Sequence, residues 1–199
     1  MSMHLITKSE EKKYVWQGLY YNTMEHVSIE HTGSGHTING IIIGEVQGMA
    51  MNIHYKLHAT DDWTTQSVAI TVDAETSFSL AFQKDQHGGW SDGNGNKPLD
   101  LAGCIDVDIS MTPFTNTLTI NRSQLDEGAS EETNVVYIDV LKQTCRSVGQ
   151  RYTRVGQASY KYENLESEFM SVVETDEDGI VINYPGIWRR IYPMDAAER

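Results

Sequence analysis

Alternation of apolar and polar residues every second position runs through most of this chain. Met49, Met51, Ile53, Tyr55 and Leu57 fall on one side of an extended segment, and Asn52, His54, Lys56 and His58 on the other. That is the signature of a half-buried strand. The same period appears in EHVSIEH (25–31), SVAITVDA (67–74), SFSLAFQK (77–84) and VVYIDVL (135–141), and again in ASYKYEN (158–164), EFMSVVET (168–175) and GIVINY (179–184). Turn-forming clusters such as HTGSGH, HATDD, KDQHGGWSDGNGNKP and TDEDG separate these runs at the short intervals expected of successive hairpins. The pattern predicts a long antiparallel meander.

Only one segment reads as a helix. After Thr112, a candidate N-cap, Pro113 suits the first helical position, and Phe114, Leu118 and Leu125 recur at roughly helical spacing, although Leu118 and Ile120 also fit a strand. The predicted fold is therefore mainly β: one antiparallel sheet of about a dozen strands with a single short helix. A sheet that large cannot remain flat in water and should curl into a roll or barrel. With 199 residues and no shift in composition, the chain is expected to form one domain over 1–199, with 1–12 as a flexible N-terminal segment.

Charge narrows the partners. Fifteen Lys and Arg against 28 Asp and Glu give a formal net charge of -13, which opposes binding to nucleic acid and to anionic membrane surfaces. No run of apolar residues is long enough for a transmembrane segment or a signal peptide, so a cytoplasmic location is expected. Cys104 and Cys145 lie in unrelated contexts and suggest neither a disulfide nor a zinc site. His54 and His58 share a strand face but sit roughly 13 Å apart by strand rise, too far to hold one ion. DGNGN (92–96) opens like a calcium loop, yet Lys97 stands where that loop needs glycine and Gly103 where it needs glutamate. No metal site, cofactor site or catalytic triad is expected.

The candidate chemistry concentrates in CIDVDISMTPFTNTLTINR (104–122). Asp106 and Asp108 alternate with Ile105, Val107 and Ile109, so both carboxylates leave the same face of a strand, roughly 6.6 Å apart. That separation lies within the range of roughly 6.5 to 9.5 Å used by inverting glycosidases. It equally suits two acidic groups on a wet strand face or in a polar network. The aromatic residues Trp16, Tyr20, Tyr21, Trp63, Trp90, Tyr160, Tyr162, Tyr184, Trp188 and Tyr192 are either core and rim or the lining of a cavity.

Three segments together resemble the bacterial glycolipid-binding family: YKLHATDDWTTQSVAI (55–70), GCIDVDISMTPFTNTLTINR (103–122) and DGIVINYPGIWRR (178–190). The similarity starts near YVWQGLYY and covers nearly the whole chain. It implies a spiral β-roll wrapped around one helix, and a non-enzymatic binder or carrier of an amphipathic ligand, with the apolar tail in the roll and the polar head at its rim. Asp106 and Asp108 match the DVD element, Thr112 to Leu118 the following TPFTNTL, and Trp188 and Arg189 the closing aromatic-basic segment. The chain departs from the family pattern after Leu118, where Thr119, Ile120, Asn121, Arg122 and Ser123 replace Pro-Ile-Arg-Arg-Leu. Arg122 is then left as the local cation.

On this resemblance the candidate ligand-binding residues are Trp16, Asp106, Asp108, Thr115, Asn116, Thr117, Arg122, Tyr184, Trp188 and Arg189. Within such a roll the two aspartates would accept hydrogen bonds from Thr115, Asn116, Thr117 or Arg122, because buried charge persists only when paired. The alternatives are a carbohydrate-active hydrolase using Asp106 and Asp108, and a structural protein that forms a homodimer through an open sheet edge.

Overall fold

The computed structural model describes residues 11–194. Fourteen strands form one sheet: β1 (Glu11–Gly18), β2 (Asn22–Thr32), β3 (Gly35–Val46), β4 (Met49–Ala59), β5 (Thr65–Asp73), β6 (Phe78–Lys84), β7 (Trp90–Asp92), β8 (Asp106–Ile109), β9 (Ser130–Asp139), β10 (Thr144–Gly156), β11 (Ser159–Asn164), β12 (Met170–Thr175), β13 (Val181–Tyr184) and β14 (Trp188–Tyr192). The helix, α1 (Thr115–Ser123), follows β8. Residues 1–10 of the expected flexible segment lie outside the described residues, whereas Glu11 and Lys12 already belong to β1.

The spatial order is β7-β6-β5-β4-β3-β2-β1-β14-β13-β12-β11-β10-β9-β8. Two antiparallel meanders thus run outward from a seam where β14 returns to pair with β1, Gln17 opposite Arg189. Only β8, which pairs with β9, is parallel to its neighbour. The sheet is not closed into a barrel, but its two ends are drawn together by side chains. Trp90 Nε1 donates to the carbonyl of Cys104 at 2.9 Å, Lys84 Nζ to that of Ile105 at 2.5 Å, and Thr65 Oγ1 to Asp106 at 3.3 Å.

Strand β4 illustrates why the sheet curls around an interior. Met51, Ile53, Tyr55 and Leu57 are buried and Asn52, His54, Lys56 and His58 exposed, as the alternation predicts. Burial of the inner face continues through Val27 and Ile29 of β2, Ile38 and Ile42 of β3, and Val68, Ile70 and Val72 of β5. Strands β3 and β10 escape the sequence pattern for opposite reasons. In β3, Ile41 and Ile43 lie on the outer face, so the run INGIII shows no alternation. In β10, Gln150 points inward beside Val148 and Tyr152, which hides the inner face among polar residues.

Helix α1 occupies the middle of the curl, and Thr115 to Ile120 are all buried. Leu118 packs with the first meander and β9, and Ile120 with the second meander through Tyr152, Tyr160 and Val173. The sequence TNTLTINRS is a weak helix former, since threonine and asparagine lose side-chain freedom or compete for backbone hydrogen bonds. Its helicity is imposed by burial and by the partners its hydroxyls find. The expected start also moves: Thr112 Oγ1 accepts from the Phe114 N–H at 2.9 Å, but Phe114 is the N-cap and the helix opens at Thr115. Leu125 lies beyond the helix, after Gln124 has turned into the left-handed region at φ 44°.

Candidate functional site

The two aspartates of β8 meet helix α1 along one of its faces. Residues 115, 119 and 122 are spaced four and three apart and so project on the same side of a helix. Thr115 Oγ1 donates to Asp108 Oδ1 at 3.1 Å, Thr119 Oγ1 to Asp106 Oδ2 at 3.2 Å, and Arg122 Nε to the same Asp106 oxygen at 2.8 Å. The anticipated polar network therefore exists, with Thr115 and Arg122 in it. Thr119 belongs to it as well; Asn116 and Thr117 do not bond to the carboxylates.

From that junction the two carboxylates diverge. Asp106 is 0% exposed and its oxygens are taken by Arg122, Thr119 and Thr65. Arg122 is held from its other side by Glu131 at 2.8 Å. This is a structural clamp between strand and helix, with Asp106 sealed from solvent. A hydrolase reading that needs Asp106 and Asp108 on either side of a substrate finds only one of them accessible.

Asp108 lines a cavity of about 560 Å³ at the end of the roll where α1 begins. Gln150 Nε2 donates to Asp108 Oδ2 at 2.6 Å and is also 3.1 Å from the Tyr162 hydroxyl. Burial raises the Asp108 carboxyl above its ordinary range, partly offset by these donors from Gln150 and Thr115. Next to it Asn116 receives the Tyr152 hydroxyl at Oδ1, 2.9 Å away, and gives Nδ2 to the carbonyl of Pro113. Ser110 and Thr112 complete this polar floor.

Aromatic rings form the walls. Tyr162, Phe169, Tyr184 and Trp188 make a continuous series of ring contacts, with centroids 5.9 Å, 6.4 Å and 5.5 Å apart. Tyr20, Tyr21 and Tyr137 line the cavity from other strands and turns. Burial, then the nearby Asp108 charge, pushes the Tyr137 hydroxyl up to about 12, and Tyr162 and Tyr184 move the same way for the same reasons. These phenols stay protonated and can donate hydrogen bonds. Asn164 and Ser167 add polar groups beside Phe169.

Of the ten candidate ligand-binding residues, Asp108, Asn116, Tyr184 and Trp188 come together in this cavity. The others are placed elsewhere. Trp16 is 0% exposed and donates Nε1 to the carbonyl of Val181 at 2.8 Å, an arrangement that locks β1 against β13. Asp106 and Arg122 form the clamp, Thr115 bonds to Asp108 from behind, Thr117 is buried at 0% exposure, and Arg189 is exposed on β14. Phe169, Tyr137 and Gln150 had no distinguishing sequence signal, since each looks like an ordinary strand or turn residue. Tyr162 was legible only as one aromatic among ten.

A second opening, of about 720 Å³, lies at the opposite end, where α1 finishes. Its polar side chains are largely engaged: Lys12 with Asp178 at 2.7 Å and His31 with Asp61 at 3.0 Å. The His36 ring stacks on Trp63 at 4.1 Å. Helix α1 separates this opening from the aromatic cavity. The interior is thus filled at its middle, and open space remains at the two ends.

Asp92 caps the turn at DGNGN by accepting from the N–H groups of Asn94 and Asn96, so this stretch is an aspartate-capped turn. Cys104 and Cys145 are both free thiols.

Comparison with known proteins adds two findings. The model of the family described as "Putative glycolipid-binding" matches residues 13–190. The crystal structure of a DUF1089 family protein from Pseudomonas aeruginosa is similar to this chain at a TM-score of 0.73 and 30% sequence identity, over 96% of this chain and 97% of that one. No curated protein sequence matches the chain.

Proposed function

The chain belongs to the family described as "Putative glycolipid-binding", and from that premise we propose that it is a non-enzymatic binder of an amphipathic glycolipid whose sugar head enters the aromatic cavity. One observation carries this reading: a single cavity combines ring walls with a hydrogen-bonding floor. Tyr162, Phe169, Tyr184 and Trp188 offer faces and edges against which the C–H surface of a sugar can pack. Asp108 and Asn116 offer acceptors and donors to its hydroxyls, with Gln150 and Thr115 holding the carboxylate in place. The volume of about 560 Å³ falls in the ordinary range for small-molecule sites.

The arrangement favours the reverse of the orientation implied by the family resemblance. Polar groups lie at the bottom of the cavity and α1 fills the roll behind them, so the head goes inward and the tail leaves through the mouth. Arg122 is engaged by Asp106 and Glu131 and lies away from the cavity, which favours an uncharged head group over an anionic one. The absence of a long apolar helix among the described residues and the two free thiols fit the cytoplasmic location we propose.

Titration calorimetry with short-chain alkyl glycosides tests the reading. Asp108→Asn, which keeps the shape but removes the charge, should weaken binding about tenfold, the usual worth of a hydrogen bond to a charged group. Phe169→Ala, at an exposed turn, should also weaken it. Unchanged affinity in both variants would remove the cavity from consideration.

A further inference from the structure

The cavity has an apolar rim. Leu19 and Tyr20 in the turn after β1, and Leu165 and Phe169 in the turn after β11, are 48%, 72%, 42% and 44% exposed. The N–H groups of Leu19 and Tyr20 bond to the carbonyl of Ile187, in the turn before β14, and Phe169 reaches the Tyr184 ring at the end of β13, so the three turns stand together at the same end of the roll. Tyr20, Phe169 and Ile187 also line the cavity, which makes the rim continuous with its walls.

We propose that this rim docks on an uncharged lipid surface, so that the head group of a membrane-resident glycolipid is bound without extracting its tail. The inference rests on the head-inward reading above. Exposed leucine, tyrosine and phenylalanine at turn tips are the side chains that gain most from entering the boundary between head groups and acyl chains. Charge selects the kind of surface. Charge near the mouth is mixed: Arg146 is engaged by Glu166 and Lys142 by Asp139, Arg189 is exposed beside Trp188, and Glu168 is exposed beside Phe169. Against the overall charge of -13, these cations are too few to draw the protein to an anionic bilayer.

The test is vesicle flotation with the full chain, using phosphatidylcholine alone, phosphatidylcholine with a monohexosyl diacylglycerol, and phosphatidylcholine with phosphatidylglycerol. The double variant Leu19→Ser/Leu165→Ser alters two exposed side chains that do not line the cavity. We expect it to lose vesicle binding at least about tenfold, on the order of the transfer free energy of one leucine. Its affinity for a soluble alkyl glycoside should stay unchanged. Wild-type protein that fails to float, a double variant that floats equally well, or binding strengthened by phosphatidylglycerol would each overturn the proposal. Concentration-dependent dimerisation that the double variant abolishes would assign the rim to a second copy of the chain and overturn it too. Vesicle binding lost in the double variant, with no glycoside affinity in any protein, would sink the head-group reading while leaving the docking face in place.

Discussion

Glu25 presents the sharpest physical test of this fold. It lies on the inner face of β2, 2% exposed, between Thr23 and Val27. The Tyr55 hydroxyl donates to its Oε1 at 2.6 Å, and Oε2 has no hydrogen-bond partner. Burial raises its pKa from 4.5 to about 8, against smaller opposing contributions from Thr112 and Tyr55. Below about pH 4.5 both folded and unfolded chains carry the proton, and Glu25 does not discriminate between them. Between 4.5 and 8 the unfolded chain releases the proton and the folded chain keeps it, so stability falls with rising pH. The slope is about 1.4 kcal/mol per pH unit and the loss ends above about pH 8, where both states are ionised. By pH 7 the accumulated cost is about 3 kcal/mol. Glu25→Gln has nearly the same shape and still accepts from Tyr55, but cannot ionise. It should therefore be more stable than the wild type at pH 7 by about that amount, with an advantage that vanishes near pH 4.5 and grows towards pH 8. Urea denaturation of both proteins across that range reads the difference directly, and the raised carboxyl of Asp108, present in both, cancels. A difference that stays constant with pH would refute the reasoning, because it would mean that Glu25 is ionised in the native state or titrates normally.

Three further substitutions probe how the interior is assembled. Asp106→Asn should cost about 3 kcal/mol in urea denaturation, since it breaks a buried ion pair and leaves Arg122 with Glu131 alone; Asp108→Asn, at the half-buried cavity wall, should cost about 1 kcal/mol or less. Equal losses would contradict the division into a clamp and a cavity carboxylate. At Gly40 an added Cβ would sit 2.0 Å from the Tyr55 ring. Gly40→Ala should then cost about 2 kcal/mol or more by overpacking, and it should be non-additive with Glu25→Gln, because the displaced ring carries the hydroxyl that Glu25 accepts.

The candidate site was partly legible and for specific reasons. Asp106 and Asp108 were found because alternation places them on one face, and that geometry holds. Their different roles could not be read, since a two-residue step along β8 moves a carboxylate from a sealed contact with Arg122 to the wall of a cavity. Trp188 and Tyr184 came with the closing segment of the family pattern, whereas Trp16 was drawn towards the site by the same aromatic logic and instead fills the core. Gln150 and Phe169 arrive from β10 and the β11–β12 turn, and no local feature marks them as neighbours of Asp108.

The chain's alternation of side chains determined most of the strands, the hairpin order and the mainly β class, because period-2 burial is a local property of an extended backbone. The signals after Thr112 added a single short helix, the size of the sheet its curl, and the family resemblance the helix inside that curl. Only the tertiary structure decided the rest: the seam between β1 and β14, which hydroxyls of the threonine-rich helix meet the aspartates, and the convergence of rings from distant turns on Asp108. Each of these depends on contacts between residues up to about the whole chain apart, as in the pairing of Val15 with Tyr192. Such contacts are selected by the cooperative closing of the sheet around α1, which no window of local sequence contains.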